Sequence, residues 1–225
     1  MQQSSESVRT NLTGGPQVLA ESNFVLVLGT RNKKKRRELE YLLSPYSQIQ
    51  LKSLDEFPNS IEVEETGTTF GENAALKATQ QAKHLGEYVL GEDSGLSVAA
   101  LDGRPGVYSA RYSGENATDE TNKVKLVEEL TGVPAAKRNA WYTCHMTLSD
   151  PEGNVLIDCE SQCHGRILDE QRGEAGFGYD PLFEIPEYGL TFAELGDEVK
   201  SVLSHRARAN RTFIPKLLNL VASLS

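Results

Sequence analysis

Two adjacent carboxylates, Glu92 and Asp93, stand where the apolar run Tyr88, Val89, Leu90 meets Ser94-Gly95. They head the stretch GEDSGLSVAALDGRPGVYSAR, from Gly91 to Arg111. Carboxylates offered at a strand end beside a sharp turn can hold a divalent cation against a substrate's oxygens. The pattern predicts a strand that closes near Leu90 with an acidic turn after it. Asp, Ser and Gly are also ordinary residues of a solvated turn, so the chemical reading depends on three further segments.

The first, GTRNKKKRRE from Gly29 to Glu38, directly follows an apolar run. A strand-to-helix turn offers free backbone N–H groups and the positive end of the helix dipole, which suits phosphate. Thr30 and Asn32 add side-chain donors, and Lys35 adds a point charge. This is not a Walker A loop, because the glycine spacing and the Lys-Ser/Thr ending are absent. A charge run by itself equally describes a solvated helix face. The second segment, EETGTTFGENAALKA from Glu64 to Ala78, places Glu65 before a helix and Glu72, Asn73 and Lys77 within it. An N-terminal capping arrangement has the same composition.

The third segment has two parts, GEAGFGYDPLF (Gly173 to Phe183) and KSVLSHR (Lys200 to Arg206). Gly176, Gly178 and Pro181 leave that loop little freedom to hide Phe177 and Tyr179. One of these rings is therefore a candidate stacking platform for a base. His205 and Arg206 fall beside Ser204, a candidate N-cap, where such donors can read a keto oxygen or hold a phosphate. A capping or core histidine is the plainer alternative for His205.

The elements that must position these residues are legible from periodicity. FVLVL, Phe24 to Leu28, is a short continuous apolar run of the kind that forms a strand buried on both faces. Leu39, Leu42 and Leu43 recur at helical spacing over about Lys33 to Leu43. A second helix is predicted from Thr69 to Leu85, burying Phe70, Ala74, Ala78, Ala82 and Leu85. A third runs from a Thr118 N-cap, followed by Asp119 and Glu120, to Leu130. From Ala140 to Leu148 the period becomes two, with Ala140, Tyr142, Cys144, Met146 and Leu148 on one face. Asp150 to Gly153 is a turn, and Val155 to Ile167 returns as an antiparallel strand. The C-terminal helix from Ser204 buries Phe213, Ile214, Leu217, Leu218 and Val221, and Pro215 should kink or split it. These units imply an α/β fold with a mixed sheet. Residues 1–23 are a polar leader without an apolar h-region, expected to be flexible, and 24–225 form one domain.

Composition bounds the function. A net charge of −9 over 225 residues argues against broad attraction to nucleic acid or an anionic membrane. No apolar run approaches the ~20 residues of a membrane span. Three cysteines, an odd number, point to a reducing compartment such as the cytoplasm rather than to a disulfide framework. Cys159 and Cys163 lack clustered partners for zinc.

Taken in order, these segments resemble one family, the inosine triphosphate pyrophosphatases, which hydrolyse non-standard purine nucleoside triphosphates. The motifs are T-x-N-x-x-K-x-x-E (Thr30, Asn32, Lys35, Glu38), E-T-G-x-T-F-x-E-N-A-x-x-K-A from Glu65 and D-S-G-L from Asp93. They continue with P-G-x-x-S-A-R from Pro105, G-F-G-Y-D-P from Gly176 and K-x-x-x-S-H-R ending at Arg206. The match runs from about Phe24 to the last helix. Two positions depart from the usual pattern: Glu92 where an aspartate is common, and Lys34 where a glycine is common.

The resemblance implies an elongated, twisted mixed sheet flanked by helices, in two lobes with the active site in the cleft between them. It implies cleavage between the α- and β-phosphates, a Mg2+ cofactor held by Glu65, Glu92 and Asp93, Asp93 as catalytic base, and a homodimer. Lys35, Lys77 and Lys200, with Thr30, Asn32 and Ser94, would hold the triphosphate. Phe177 would stack on the purine, while Gly178, Tyr179, Asp180, His205 and Arg206 would meet its edge. Three alternatives stay open on sequence alone: a related pyrophosphatase acting on modified pyrimidine nucleotides, a nucleotide sensor without turnover, and a nucleic-acid module using the basic run Arg31 to Arg37.

Overall fold

The computed structural model describes residues 23–224, so the predicted leader lies outside the described residues but for Asn23. The predicted elements form at nearly the expected positions. Strand β1 (Phe24–Leu28) leads through Asn32 into helix α1 (Lys33–Leu43), and β2 (Ile49–Ser53) returns beside β1. Helix α2 (Phe70–Leu85) is fixed by a reciprocal cap between Thr69 and Glu72. It precedes β3 (Tyr88–Val98), and α3 (Asp119–Glu129) starts from the Thr118 cap. The long hairpin β4 (Asn139–Ser149) and β5 (Val155–Ile167) follows, then the short strands β6 (Phe183–Ile185) and β7 (Leu190–Thr191). Helices α4 (Phe192–Leu203) and α5 (His205–Leu224) end the described chain.

These strands make one seven-stranded sheet in the order β2-β1-β3-β4-β5-β6-β7. The β2-β1-β3 ladders are parallel and the others antiparallel, so the sheet is mixed, as predicted. Its core divides in two. One cluster joins Leu26, Leu28, Leu90, Met146 and Leu148 to Leu39 and Leu43 of α1 and Phe213 and Leu217 of α5. The other joins Leu96, Val98, Ala140 and Tyr142 to Leu126 of α3, Phe183 and Phe192. Residues 91–95 lie between these clusters, in the middle of the β3–β4 ladder.

Two expectations are corrected. Strand β3 does not close near Leu90: its pairing with β4 runs unbroken from Val89↔Ser149 to Val98↔Ala140. Glu92 and Asp93 are therefore mid-strand residues, and no turn follows them. The strand tolerates them because each carboxylate meets a cation, so the ladder need not break to reach water. Pro215 neither splits nor ends α5, which continues to Leu224. The break falls instead at Ser204, whose extended backbone separates α4 from α5 and whose Oγ accepts from the Ala207 N–H at 3.2 Å.

Side chains alternate across a strand, so Val89, Gly91, Asp93 and Gly95 face α2. A Cβ at Gly91 would run into the Ala74 carbonyl and lie 2.7 Å from the Ala78 nitrogen. One at Gly95 would lie 2.7 Å from the Gly106 carbonyl and 2.9 Å from Phe70 Cε1. The two glycines let α2 lie directly on the strand, leaving Asp93 as the side chain between them. Gly91→Val should accordingly lower stability by about 1–3 kcal/mol or more, the cost of forcing atoms into a packed interface. A urea midpoint matching the wild type would show that α2 is not seated on Gly91.

Candidate active site

Asp93 lies on the α2 face of β3. Its Oδ1 accepts from Lys77 Nζ at 2.9 Å and its Oδ2 from Asn73 Nδ2 at 3.3 Å. Lys77 also reaches Glu65 Oε1 at 3.1 Å and the Glu92 carbonyl at 3.3 Å. Asn73 is buried, and its Oδ1 accepts from the Gly67 N–H at 2.8 Å, tying the loop that carries Glu65 to α2. Glu72 belongs to the cap, bonding the Thr68 and Thr69 N–H groups.

Glu92 points to the other face. Its Oε1 pairs with Arg206 Nε at 2.9 Å and Lys35 Nζ at 3.2 Å, and the residue is buried. Burial alone would raise the Glu92 pKa, but the Arg206 guanidinium and the Lys35 ammonium outweigh it and bring the carboxyl down to about 2. Arg206 spends its remaining donors on Glu38 Oε2 at 3.1 Å and Ser94 Oγ at 3.4 Å. Burial works against its charge, yet Glu92 and Glu38 hold it firmly protonated. In this structure its donors serve carboxylates rather than an open edge of the cleft.

The predicted metal set of Glu65, Glu92 and Asp93 does not converge. Successive strand residues project to opposite faces, and among the described residues no group of three His, Cys, Asp or Glu side chains is placed to hold an ion. Glu65 and Asp93 alone share a focus, the Lys77 ammonium.

At the head of α1, Asn32 acts as an acceptor. Its Oδ1 takes the Lys34 and Lys35 N–H groups at 2.9 and 3.3 Å, so two of the N–H groups expected to be free for phosphate are occupied. Thr30 Oγ1 accepts from the Asn32 N–H at 3.2 Å. Across the cleft, the loop over 176–181 is built on Asp180, which accepts from the Phe177 N–H at 2.9 Å and is bonded by Lys200. Gly176 stands at φ 81°, and a Cβ there would strike the Asp180 carboxylate. The two aromatics of this loop stand differently. Tyr179 is buried and donates its hydroxyl to the Ser109 carbonyl at 2.8 Å, whereas Phe177 is half-buried with Lys200 Nζ 3.9 Å from its ring centroid. The Gly178 N–H donates to Asp119 at 2.8 Å. His205 is buried and stacked on Tyr142 at 4.8 Å, and its Nδ1 has no partner. Burial, reinforced by Arg206, pushes its pKa well below the ordinary imidazole value, so it stands neutral.

Sequence reasoning named Asn73, Glu38 and Lys34 but left them out of the candidate site. Asn73 had a signal, since Asn73, Lys77 and Gln81 form a polar i, i+4 stripe beside the alanines of α2. Lys34 Nζ lies 4.4 Å from the Phe177 centroid, a contact between segments far apart in the chain.

A mixed sheet whose third strand carries two buried carboxylates, matched by cations from three helices, defines an α/β protein with a charged cleft. The chain belongs to the Ham1 family, whose model matches residues 26–216. It is 58% identical over 202 residues to a dITP/XTP pyrophosphatase of Rhodopirellula baltica, covering 90% of this chain and 97% of that one. It is 50% identical over 184 residues to a dITP/XTP pyrophosphatase of Desulforamulus reducens, covering 82% and 90%. A solved HAM1 protein from Coxiella burnetii superposes with a TM-score of 0.78 at 38% identity, covering 89% of this chain and 98% of that one.

The buried charges make a stability prediction. Glu92→Gln leaves Lys35 without its carboxylate and Arg206 with Glu38 alone, and removing one partner of a buried pair costs about 3–5 kcal/mol. Because the folded Glu92 pKa is depressed, its contribution is fully present above the unfolded value of 4.5 and is lost as pH falls towards about 2. Urea unfolding of wild type and Glu92→Gln should therefore differ most above pH 4.5 and converge in acid. A difference that does not change with pH would refute the charged pairing.

Proposed function

We propose that this protein hydrolyses non-standard purine nucleoside triphosphates (ITP, dITP and XTP) to the nucleoside monophosphate and pyrophosphate, with Asp93 as general base. The observation that carries the reading is Asp93 itself: held between Gly91 and Gly95, with Lys77 on one oxygen and Asn73 on the other, in a chain 58% identical to a protein named dITP/XTP pyrophosphatase. Asp93 takes a proton from a water whose oxygen attacks the α-phosphorus. The bond from that phosphorus to the bridging oxygen breaks, and pyrophosphate leaves with the electron pair. Lys35 and Lys77 stand on either face of β3 to draw the phosphates in, with Thr30, Asn32 and Ser94 beside them and Lys200 at the base end.

Charge balance supports a divalent cation. Lys35, Lys77, Lys200 and Arg206 each already face a carboxylate, so a triphosphate with about four negative charges needs further positive charge. Glu65 and Asp93 offer hard oxygen donors on either side of the Lys77 ammonium, the ligand chemistry that Mg2+ takes once phosphate oxygens complete its shell. When bound there, Mg2+ would neutralise phosphate charge and favour ionisation of water. Glu92 sits apart from that set and keeps Arg206 and Lys35 in place.

The base stacks on Phe177. His205, neutral and with an unpartnered Nδ1, and the loop over 177–180 meet its edge. A buried donor that finds adenine's amino group instead of a keto oxygen stays unpaired, which disfavours ATP. The reading includes a homodimer in a reducing cytoplasm, in keeping with three buried unpaired cysteines, and sedimentation would test the dimer.

Asp93→Asn should fold and bind ITP while losing about 10²–10⁴-fold in turnover, the usual contribution of a general base. Pyrophosphate release near the wild-type rate would remove Asp93 from the chemistry. Excess chelator should abolish turnover of the wild type and Mg2+ should restore it; full activity in chelator would refute the metal requirement. A panel of ITP, XTP, ATP, GTP and modified pyrimidine triphosphates tests the substrate class.

A further inference from the structure

Lys34 differs from the other ammonium groups around the cleft. Lys35, Lys77 and Lys200 each pair with a carboxylate, whereas Lys34 has no ion pair among the described residues. Its ammonium meets a ring instead: Nζ lies 4.4 Å from the Phe177 centroid, so α1 touches the opposite wall of the cleft. Lys200 stands 3.9 Å from the same centroid but is buried and bonded to Asp180, and so cannot leave. Lys34 is exposed, on a flexible four-carbon stem, and an exposed cation–π contact is weak. Its backbone is nevertheless pinned, because its N–H donates to Asn32 Oδ1 at 2.9 Å. One ammonium on the ring is thus fixed, and the other is free to swing from a fixed root.

Its place is also informative. Stacked rings lie at centroid separations of about 4.5–7 Å, so an ammonium 4.4 Å from the ring occupies the layer a stacked base would enter. Lys34 and Lys35 are adjacent on a helix, where neighbouring residues point about 100° apart. Lys35 turns to Glu92 beneath the phosphate end, and Lys34 turns to Phe177 at the base end.

We propose that Lys34 is a specificity-determining residue of the base pocket. A purine stacking on Phe177 displaces the Lys34 ammonium to the ring's edge, where it donates to the keto oxygen and N7 of a 6-oxopurine. Those two acceptors lie side by side on one edge of such a base, whereas adenine replaces the keto oxygen with an amino donor. The ammonium has no carboxylate to abandon, so the move costs only the aromatic contact. With adenine only N7 would still accept, and at the neighbouring position donor would face donor. The inference rests on the pyrophosphatase reading above and adds to it the group that tells keto from amino.

The test compares Lys34→Met, which keeps the stem and removes the charge, with Lys34→Arg, which keeps a donor. ITP and ATP carry the same triphosphate, so the ratio of their kcat/KM values isolates the base. Lys34→Met should lower kcat/KM for ITP about tenfold and leave ATP within about twofold, and Lys34→Arg should recover part of the loss. Equal losses on both nucleotides would assign Lys34 to the phosphates and overturn the proposal, as would no loss on either. Equilibrium Kd values for ITP and ATP, measured in chelator on the same proteins, keep the two readings separable. A wild type that cleaves neither nucleotide would sink the pyrophosphatase reading, while the ratio of Kd values would still decide the role of Lys34.

Discussion

Glu92 and Asp93 are neighbours in the chain but lie on opposite faces of β3, and the rest of the cleft depends on that division. Each buried carboxylate needs a cation, since an ion moved out of water without a partner is strongly disfavoured. On one face the demand is met by Lys35 from α1 and Arg206 from α5. On the other it is met by Lys77 from α2, with Asn73 as a second donor. Three helices are thereby drawn to one point on one strand, and the docking of α1 and α5 also closes the hydrophobic core around Leu90 and Met146.

The close approach of α2 is the geometric counterpart of this charge matching. Gly91 and Gly95 flank Asp93 on the face that α2 covers, and neither leaves room for a Cβ. A helix seated this low brings Lys77 Nζ within 2.9 Å of the carboxylate and holds Asn73 on the other oxygen. The carboxylate is thereby oriented from two sides by side chains of a single helix.

The cleft lies where the two hydrophobic clusters meet. One wall is built on the cluster shared by α1, β1 and α5, and the other on the one shared by α3, α4 and β6. Asp180 organises one wall as Glu92 organises the other: it ties Lys200 and the Phe177 backbone into one unit, and the Phe177 ring stands at the edge of that unit. Lys34 is the contact that crosses from one wall to the other.

The sequence by itself determined the elements, because each is a local matter. Hydrophobic periods of 3.6 and 2, the Thr69 and Thr118 caps and the Asp150–Gly153 turn all act within a few residues. Most residues of the cleft were legible too, since Asp93, Lys35, Lys77, Phe177 and Lys200 fall in motifs with a chemical rationale. Three things were decided only by tertiary structure. Tyr88–Val98 is one strand rather than a strand and a turn because a partner ladder and distant cations absorb its polar middle. Glu92 parts from Asp93 because the pleat of that strand sends successive side chains to opposite faces. Arg206 serves Glu92 and Glu38, and Lys34 serves Phe177, because folding brings together groups separated by most of the chain. Periodicity reports which side of its own element a residue faces, and only packing decides what stands on that side.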